Sequence, residues 1–195
     1  MARLRDGTEV EVRPIGPGDR DALADAFEHL SPESRYRRFF APMPHLRERD
    51  LDYLTRVDHH DHEALVAADP RTGAGIGVAR YVRTGPDVAE PAIAVADDWQ
   101  GRGVGSLLLA ALADRARDEG IRRFDAAILA CNDAAIRALE HVGDATVESD
   151  GTEVRVCVEL ADASAARPRW AELLSHFAAG AIEPACTVVE ALRRR

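Results

Sequence analysis

Gln100-Gly101-Arg102-Gly103-Val104-Gly105 follows the apolar run Ala92-Ile93-Ala94-Val95-Ala96 and leads straight into Ser106-Leu107-Leu108-Leu109-Ala110-Ala111-Leu112. Together these segments predict a strand, a glycine-spaced turn and the start of a helix. The first N–H groups of a helix lack intrahelical acceptors, and the helix dipole favours negative charge at that end. Gly101, Gly103 and Gly105 keep side chains away, so a diphosphate can lie against backbone. The plainer reading is a glycine-rich turn that only joins strand to helix.

The spacing separates this loop from other phosphate loops. A Walker loop ends in Gly-Lys-Ser/Thr, whereas this one ends in Gly105-Ser106 without a lysine. A Rossmann fingerprint spaces its glycines G-x-G-x-x-G near the front of a βαβ unit. Here the spacing is G-x-G-x-G, deep in the chain. The pattern Gln-x-x-Gly-x-Gly, met by Gln100, Gly103 and Gly105, instead resembles the acetyl-CoA loop of the GNAT N-acetyltransferase superfamily. The resemblance implies acetyl-CoA as co-substrate and no metal. It implies binding of the coenzyme by Gln100, Gly101, Arg102, Gly103, Val104, Gly105 and Ser106. It also implies backbone contacts to pantetheine from Ile93 and Val95, and places Asn132 beside the coenzyme arm.

Outward from the loop, periodicity predicts the remaining elements. Residues 8–13 alternate as a first strand. Residues 19–30 form a helix with Leu23, Ala26, Phe27 and Leu30 on one face. Ser31-Pro32-Glu33 starts another, with Ser as N-cap, Pro first and an acid in the first turn. It runs through Tyr36, Phe39 and Phe40 until Pro42 and Pro44, and a third helix covers residues 46–56. Strands are predicted at 63–68, 75–82 and 88–96. The helix after the loop carries Val104, Leu108, Ala111, Leu112 and Ala116 on one stripe and stops at Gly120. A strand at 124–130, a helix capped by Asn132 and stopped by Gly143, and a hairpin turning at Asp150-Gly151 complete the order. That order matches the GNAT fold, an α/β architecture with a mixed, mostly antiparallel sheet and helices on both faces. The resemblance covers roughly residues 8–160, within a domain expected over residues 1–160; residues 161–195 read as a linker and a C-terminal helical extension that packs on the domain or on a second copy, as a homodimer.

Acetyl transfer to an amine needs a base, because a lysine-like amine with a pKa of about 10.4 is protonated at neutral pH. Glu90, ten residues before Gln100, is the candidate. The segments Ala89-Glu90-Pro91-Ala92 and Val95-Ala96-Asp97-Asp98-Trp99-Gln100-Gly101-Arg102-Gly103 are similar to bacterial protein-lysine acetyltransferases of the Pat type, and so is Leu30-Ser31-Pro32-Glu33-Ser34-Arg35-Tyr36-Arg37-Arg38-Phe39-Phe40. The resemblance implies that Glu90 is the general base and that a protein lysine is the favoured acceptor. A solvated strand-end carboxylate is the competing reading. Pro91 breaks the pattern, since proline in a strand demands a bulge, a strand start or an N–H position without a partner. The resemblance also implies an oxyanion donor from a backbone N–H near Val95 and a proton-donating tyrosine after Asn132. No tyrosine stands in residues 132–141.

Other residues carry weaker signals. His59-His60-Asp61-His62-Glu63 looks metal-like, but adjacent histidines seldom converge on one ion. Cys131 is expected as a small buried residue rather than a nucleophile. Arg35, Arg37 and Arg38 either line a substrate or phosphate site or form an exposed helix face. The chain has 195 residues, is 46% hydrophobic and carries a net charge of −9. The charge argues against nucleic acid as a general partner and favours basic partners. No apolar run approaches the ~20 residues of a membrane span. Cys131, Cys157 and Cys186 are odd in number and lack metal-like spacing, as in a reducing compartment. The start lacks a signal region, so a cytoplasmic location is expected. A small-molecule amine acetyltransferase and a non-catalytic acetyl-CoA sensor are the alternatives.

Overall fold

A computed structural model describes residues 1–160. The expected linker and helices of residues 161–195, and Cys186, lie outside the described residues. The strands are β1 (Ala2–Arg3), β2 (Glu9–Pro14), β3 (His62–Ala68), β4 (Gly75–Arg83), β5 (Val88–Val95), β6 (Arg123–Leu129), β7 (Asp144–Asp150) and β8 (Glu153–Glu159). The helices are α1 (Arg20–Glu28), α2 (Pro32–Phe39), α3 (Glu48–Thr55), α4 (Val104–Asp118) and α5 (Asp133–Glu140). All strands join one sheet in the order β1-β2-β3-β4-β5-β6-β8-β7. Every neighbouring pair is antiparallel except β5–β6. This is the mixed sheet that the sequence resemblance implies. Sequence reading missed β1, which is only two residues long and pairs with β2.

Helices cover both faces. On one, α4 lays Leu108, Leu109, Ala111, Leu112 and Ala116 against Leu65, Ala79 and Tyr81 of the sheet, all buried in one core. On the other, α1 crosses β4 so closely that a Cβ on Gly75 would stand 3.6 Å from Ala26 Cβ. The local signals act as expected at helix ends. Ser31 Oγ accepts from Ser34 N at 3.2 Å to cap α2. That helix ends one residue earlier than predicted, because Phe40 adopts a left-handed conformation with φ 55°. Gly120, with φ 77°, closes α4.

The phase of the β4–β5 ladder positions the site. Thr84 N donates to Val88 O at 2.9 Å, and Ala96 N donates to Ile76 O at 2.8 Å. Bonded and unbonded pairs alternate in an antiparallel ladder. Between these two bonds lie the partners Val82–Glu90, Arg80–Ala92 and Val78–Ala94. Glu90, Ala92 and Ala94 therefore bond β4, while Ala89, Pro91, Ile93 and Val95 turn their backbone groups to the opposite edge. There β6 pairs only with Val88 and Ala89. The parallel ladder stops where Pro91 has no N–H to give. The register stays continuous through Pro91, so its N faces no partner and Glu90 is not re-aimed by a bulge. Pro91→Ala is expected to cost only about 0.5–1 kcal/mol, chiefly through the looser unfolded chain, as read by thermal unfolding.

Candidate active site

Beyond Pro91, the edges of β5 and β6 part, and a groove of about 860 Å³ opens along β5, α2, the glycine loop and α5. Ile93, Val95, Gln100, Gly101, Arg102, Gly103, Gly105, Ser106 and Asn132 all line it. Val104 is the exception among the expected coenzyme residues. Its side chain is 1% exposed and packs into the core, leaving only its backbone at the helix start.

Two glycines of the loop hold conformations that other residues adopt at a cost. Gly101 has φ 73° and Gly103, the N-cap of α4, has φ 93°. The first backbone bond of the helix runs from Leu107 N to Gly103 O at 3.0 Å. The preceding N–H groups, from Val104 to Ser106, are the orphan donors of the helix start. The loop thus presents amides, positive dipole and no obstructing side chain, which is what a pyrophosphate requires.

The long side chains of the loop brace it. Gln100 Nε2 donates to Val95 O at 3.1 Å, to Asp97 Oδ1 at 2.9 Å and to Ser34 Oγ at 3.1 Å. Asp97 also accepts from Ser31 N at 2.7 Å and from Ser34 Oγ. The start of α2 is thereby bolted to the loop, a link that no local sequence signal announces. Arg102 Nε and Nη2 reach Asp6 Oδ2 at 3.0 and 2.8 Å, and its guanidinium stacks 4.2 Å from the Trp99 ring centre. Bonds from Thr8 and Arg102 hold the Asp6 carboxyl down at about 2. Asn132 Oδ1 accepts from Ala135 N at 3.3 Å, so it caps α5 while bordering the groove.

Glu90 sits on the face of β5 covered by α2 and α3 and is half-buried. Burial raises its pKa above the ordinary carboxylate value, opposed by the positive charge of Arg38. The three arginines of α2 separate. Arg37 and Arg38 line the groove. Arg35 instead ties loops together, bonding Leu30 O at 3.1 Å, Pro44 O at 2.6 Å and Glu28 O at 2.9 Å.

Sequence reasoning missed Arg80, His62 and Tyr53, which neighbour Glu90 on this face. One signal was available. Arg80 falls between Val78 and Val82 on a single face of β4, a charge inside an apolar stripe. The histidine run does not converge. His59 Nδ1 lies 2.7 Å from Glu63 Oε1, His60 Nδ1 lies 2.5 Å from Glu119 Oε2, and His62 Nε2 lies 3.0 Å from Arg80 Nη1. Tyr81 is buried and donates to His60 O at 3.1 Å, far from a proton-donor role. Cys131, expected to be buried, is exposed in the turn before α5, where the chain leaves the sheet.

The acetyltransferase (GNAT) family model matches residues 23–143. The chain is 37% identical over 150 residues to acetyltransferase Pat of Mycolicibacterium smegmatis, covering 76% of this chain and 45% of that one. It thus spans less than half the length of that relative. It is 31% identical over 148 residues to a phosphinothricin N-acetyltransferase of Streptomyces coelicolor, covering 69% and 84% of the two chains. Among solved structures, the GNAT domain of S. lividans PAT superimposes with a TM-score of 0.76 at 38% identity, covering 82% of this chain and 95% of that one.

Proposed function

Because the chain belongs to the GNAT acetyltransferase family, we propose that it binds acetyl-CoA along the free edge of β5 and transfers the acetyl group directly to an amine, with Glu90 as base. The observation that carries the reading is the single strand β5. It bears a half-buried carboxylate at one end, unpaired backbone groups in the middle and the anion-binding loop just beyond the other end.

The residues present fit the coenzyme. The amides of the loop and of the α4 start hold the pyrophosphate. The backbone groups of Ile93 and Val95 extend the sheet onto the pantetheine arm, as an added strand would. The coenzyme supplies a thioester carbonyl. Charge developing on its oxygen is met by a backbone N–H of β5. Ile93 serves this role better than the expected Val95. It stands three residues from Glu90, about 10 Å along the strand, against about 16 Å for Val95. Over the shorter distance Glu90 takes the amine proton through a bridging water. Among the described residues no tyrosine lines the groove, so the departing thiolate takes its proton from solvent.

The Pat-type segments in the sequence support a protein lysine as acceptor. A small-molecule amine is the second reading, favoured by the small, mainly apolar cavity of about 70 Å³ that Arg38 and Arg80 line on the face of Glu90. No helix among the described residues is long and apolar enough to cross a membrane.

Acetyl-CoA at a hundredfold excess over its Kd should stabilise the folded chain by about 2.7 kcal/mol, read as a rise in melting temperature. Gly103→Val should shrink that rise sharply. Nothing lies within 4 Å of the new Cβ, but φ 93° strains any side chain and tilts the loop amides. An undiminished rise in the variant would reject this loop as the coenzyme site.

A further inference from the structure

On the face of the sheet that α2 and α3 cover, hydrogen-bond donors gather beside Glu90, and two of them, His62 Nδ1 and Tyr53 OH, find no acceptor among the described residues. The register sets His62, Val82 and Glu90 in one row across β3, β4 and β5, and Ala64, Arg80 and Ala92 in the next. Arg80 is 5% exposed; its Nη1 lies 3.0 Å from His62 Nε2, and its Nη2 donates to Leu54 O at 3.1 Å. A guanidinium only donates, so Nε2 is the accepting nitrogen and the neutral ring carries its proton on Nδ1. Burial keeps that ring neutral, its pKa pushed down to about 3. His62 is 0% exposed, and its Nδ1 meets no partner. Its ring packs 4.9 Å from that of Tyr53, whose buried hydroxyl also lacks a partner. Arg38 reaches in from α2, its guanidinium 4.8 Å from the Phe39 ring centre. Among the described residues the Arg38 side chain makes no hydrogen bond, and neither Arg38 nor Arg80 has a carboxylate within salt-bridge distance.

The electrostatic balance is uneven. Arg38 and Arg80 bring two positive charges that repel each other, and Glu90 is the carboxylate that acts on Arg38. Orphan donors and an excess cation both call for an anionic oxygen ligand, because buried charge without a partner is costly. A bare ammonium entering beside these guanidinium groups would be repelled. An acceptor that carries its own carboxylate would be neutralised and held. The subsite adjoins the coenzyme side, since Arg38 lines both the groove and a smaller, mainly apolar cavity of about 70 Å³ that Arg80 also lines.

We propose that Arg38, Arg80 and Tyr53 form an oxyanion subsite beside Glu90, and that the acceptor is an amino acid whose carboxylate docks there while its amine faces the base. The proposal rests on the direct-transfer reading and, of its two acceptors, takes the small-molecule amine over the protein lysine and narrows it to an amino acid. The chain is acidic as a whole, but the site itself is cationic.

The test compares amine pairs that differ only in the carboxylate: free amino acids, their decarboxylated amines, and a peptidyl lysine blocked at both ends. Release of CoA from acetyl-CoA is followed in each case. Amino acids should exceed their decarboxylated partners by about ten- to a hundredfold in kcat/KM, the range of a charge-assisted hydrogen bond. Arg38→Met should abolish that ratio whatever it does to the absolute rates, because Arg38 also lines the coenzyme groove and acts on Glu90, and the ratio within each amine pair cancels such common effects. The substitution removes no internal hydrogen bond, so it should fold even if Arg80→Met does not. Equal rates within each pair, or a preference for the blocked peptidyl lysine, would overturn the proposal. A second readout needs no turnover. N-acetyl amino acids, but not N-acetyl amines, should raise the melting temperature of the wild-type chain and fail to do so for Arg38→Met. Should no amine be acetylated while acetyl-CoA still stabilises the fold, the transfer reading fails, yet this binding comparison still decides the subsite.

Discussion

Glu90→Gln is expected to lower kcat by about 10²- to 10⁴-fold while the melting-temperature rise with acetyl-CoA stays as in the wild type. Glutamine keeps the shape and half-buried packing of the side chain but cannot take a proton. The loop and the β5 edge that hold the coenzyme are untouched, so binding and catalysis should separate. The pH dependence supplies an independent check. Catalysis needs the ionised carboxylate, and burial raises the pKa of Glu90 above its ordinary value, against the pull of Arg38. The wild-type rate should therefore fall as pH drops through that raised pKa, at a midpoint above the ~4.3 of a free glutamate. The same limb should be missing in the variant. The amine acceptor titrates in both proteins, so its limb is common to both. A variant as fast as the wild type would remove Glu90 from the mechanism.

The largest effect on stability is expected at Gly143, between α5 and β7. A Cβ there would stand 2.1 Å from Glu159 O and 2.9 Å from Val158 Cγ1. Neither atom can yield cheaply. Glu159 is paired with Asp144 of β7 on one side and Arg123 of β6 on the other, and Val158 is fully buried. Gly143→Ala must therefore push β8 away from both neighbours or displace the entry to β7. We expect a loss of about 3 kcal/mol or more, or failure to fold, read by thermal or denaturant unfolding. Gly16→Ala is the matched control. Its Cβ would meet nothing within 4 Å, and its φ of −145° suits any residue, so the change should stay within about 0.5 kcal/mol. Similar losses in both variants would contradict the packing described for the α5–β7 turn.

The fold was legible where local chemistry and fold agree. Glycine spacing, caps and the alternation of apolar residues marked every helix and all strands but β1, which exists only through its pairing with β2. Pro91 was read as a disturbance because its surroundings depend on a ladder phase that no single strand reveals. The coenzyme side of the site was equally visible, since Gln100 to Ser106 are contiguous. The acceptor side was not. Arg38, Tyr53, His62, Arg80 and Glu90 come from five different elements and meet only when the sheet and its covering helices assemble. Gln100 shows a different gap. Its place in the motif was plain, but the bracing of the loop through Ser34 of α2, 66 residues earlier, required coordinates. Cys131 was misjudged because residue type favours burial, whereas its position at the end of β6 exposes it.

The slot at the β5 edge owes its opening to a covalent fact. A pyrrolidine nitrogen cannot be titrated, rotated or relaxed into donating a proton, so the bond that would carry the β5–β6 ladder past Ala89 cannot form, with or without a ligand. Entry of the coenzyme should then be governed by diffusional encounter, with an association rate that grows in proportion to concentration and shows no plateau from a slow opening step.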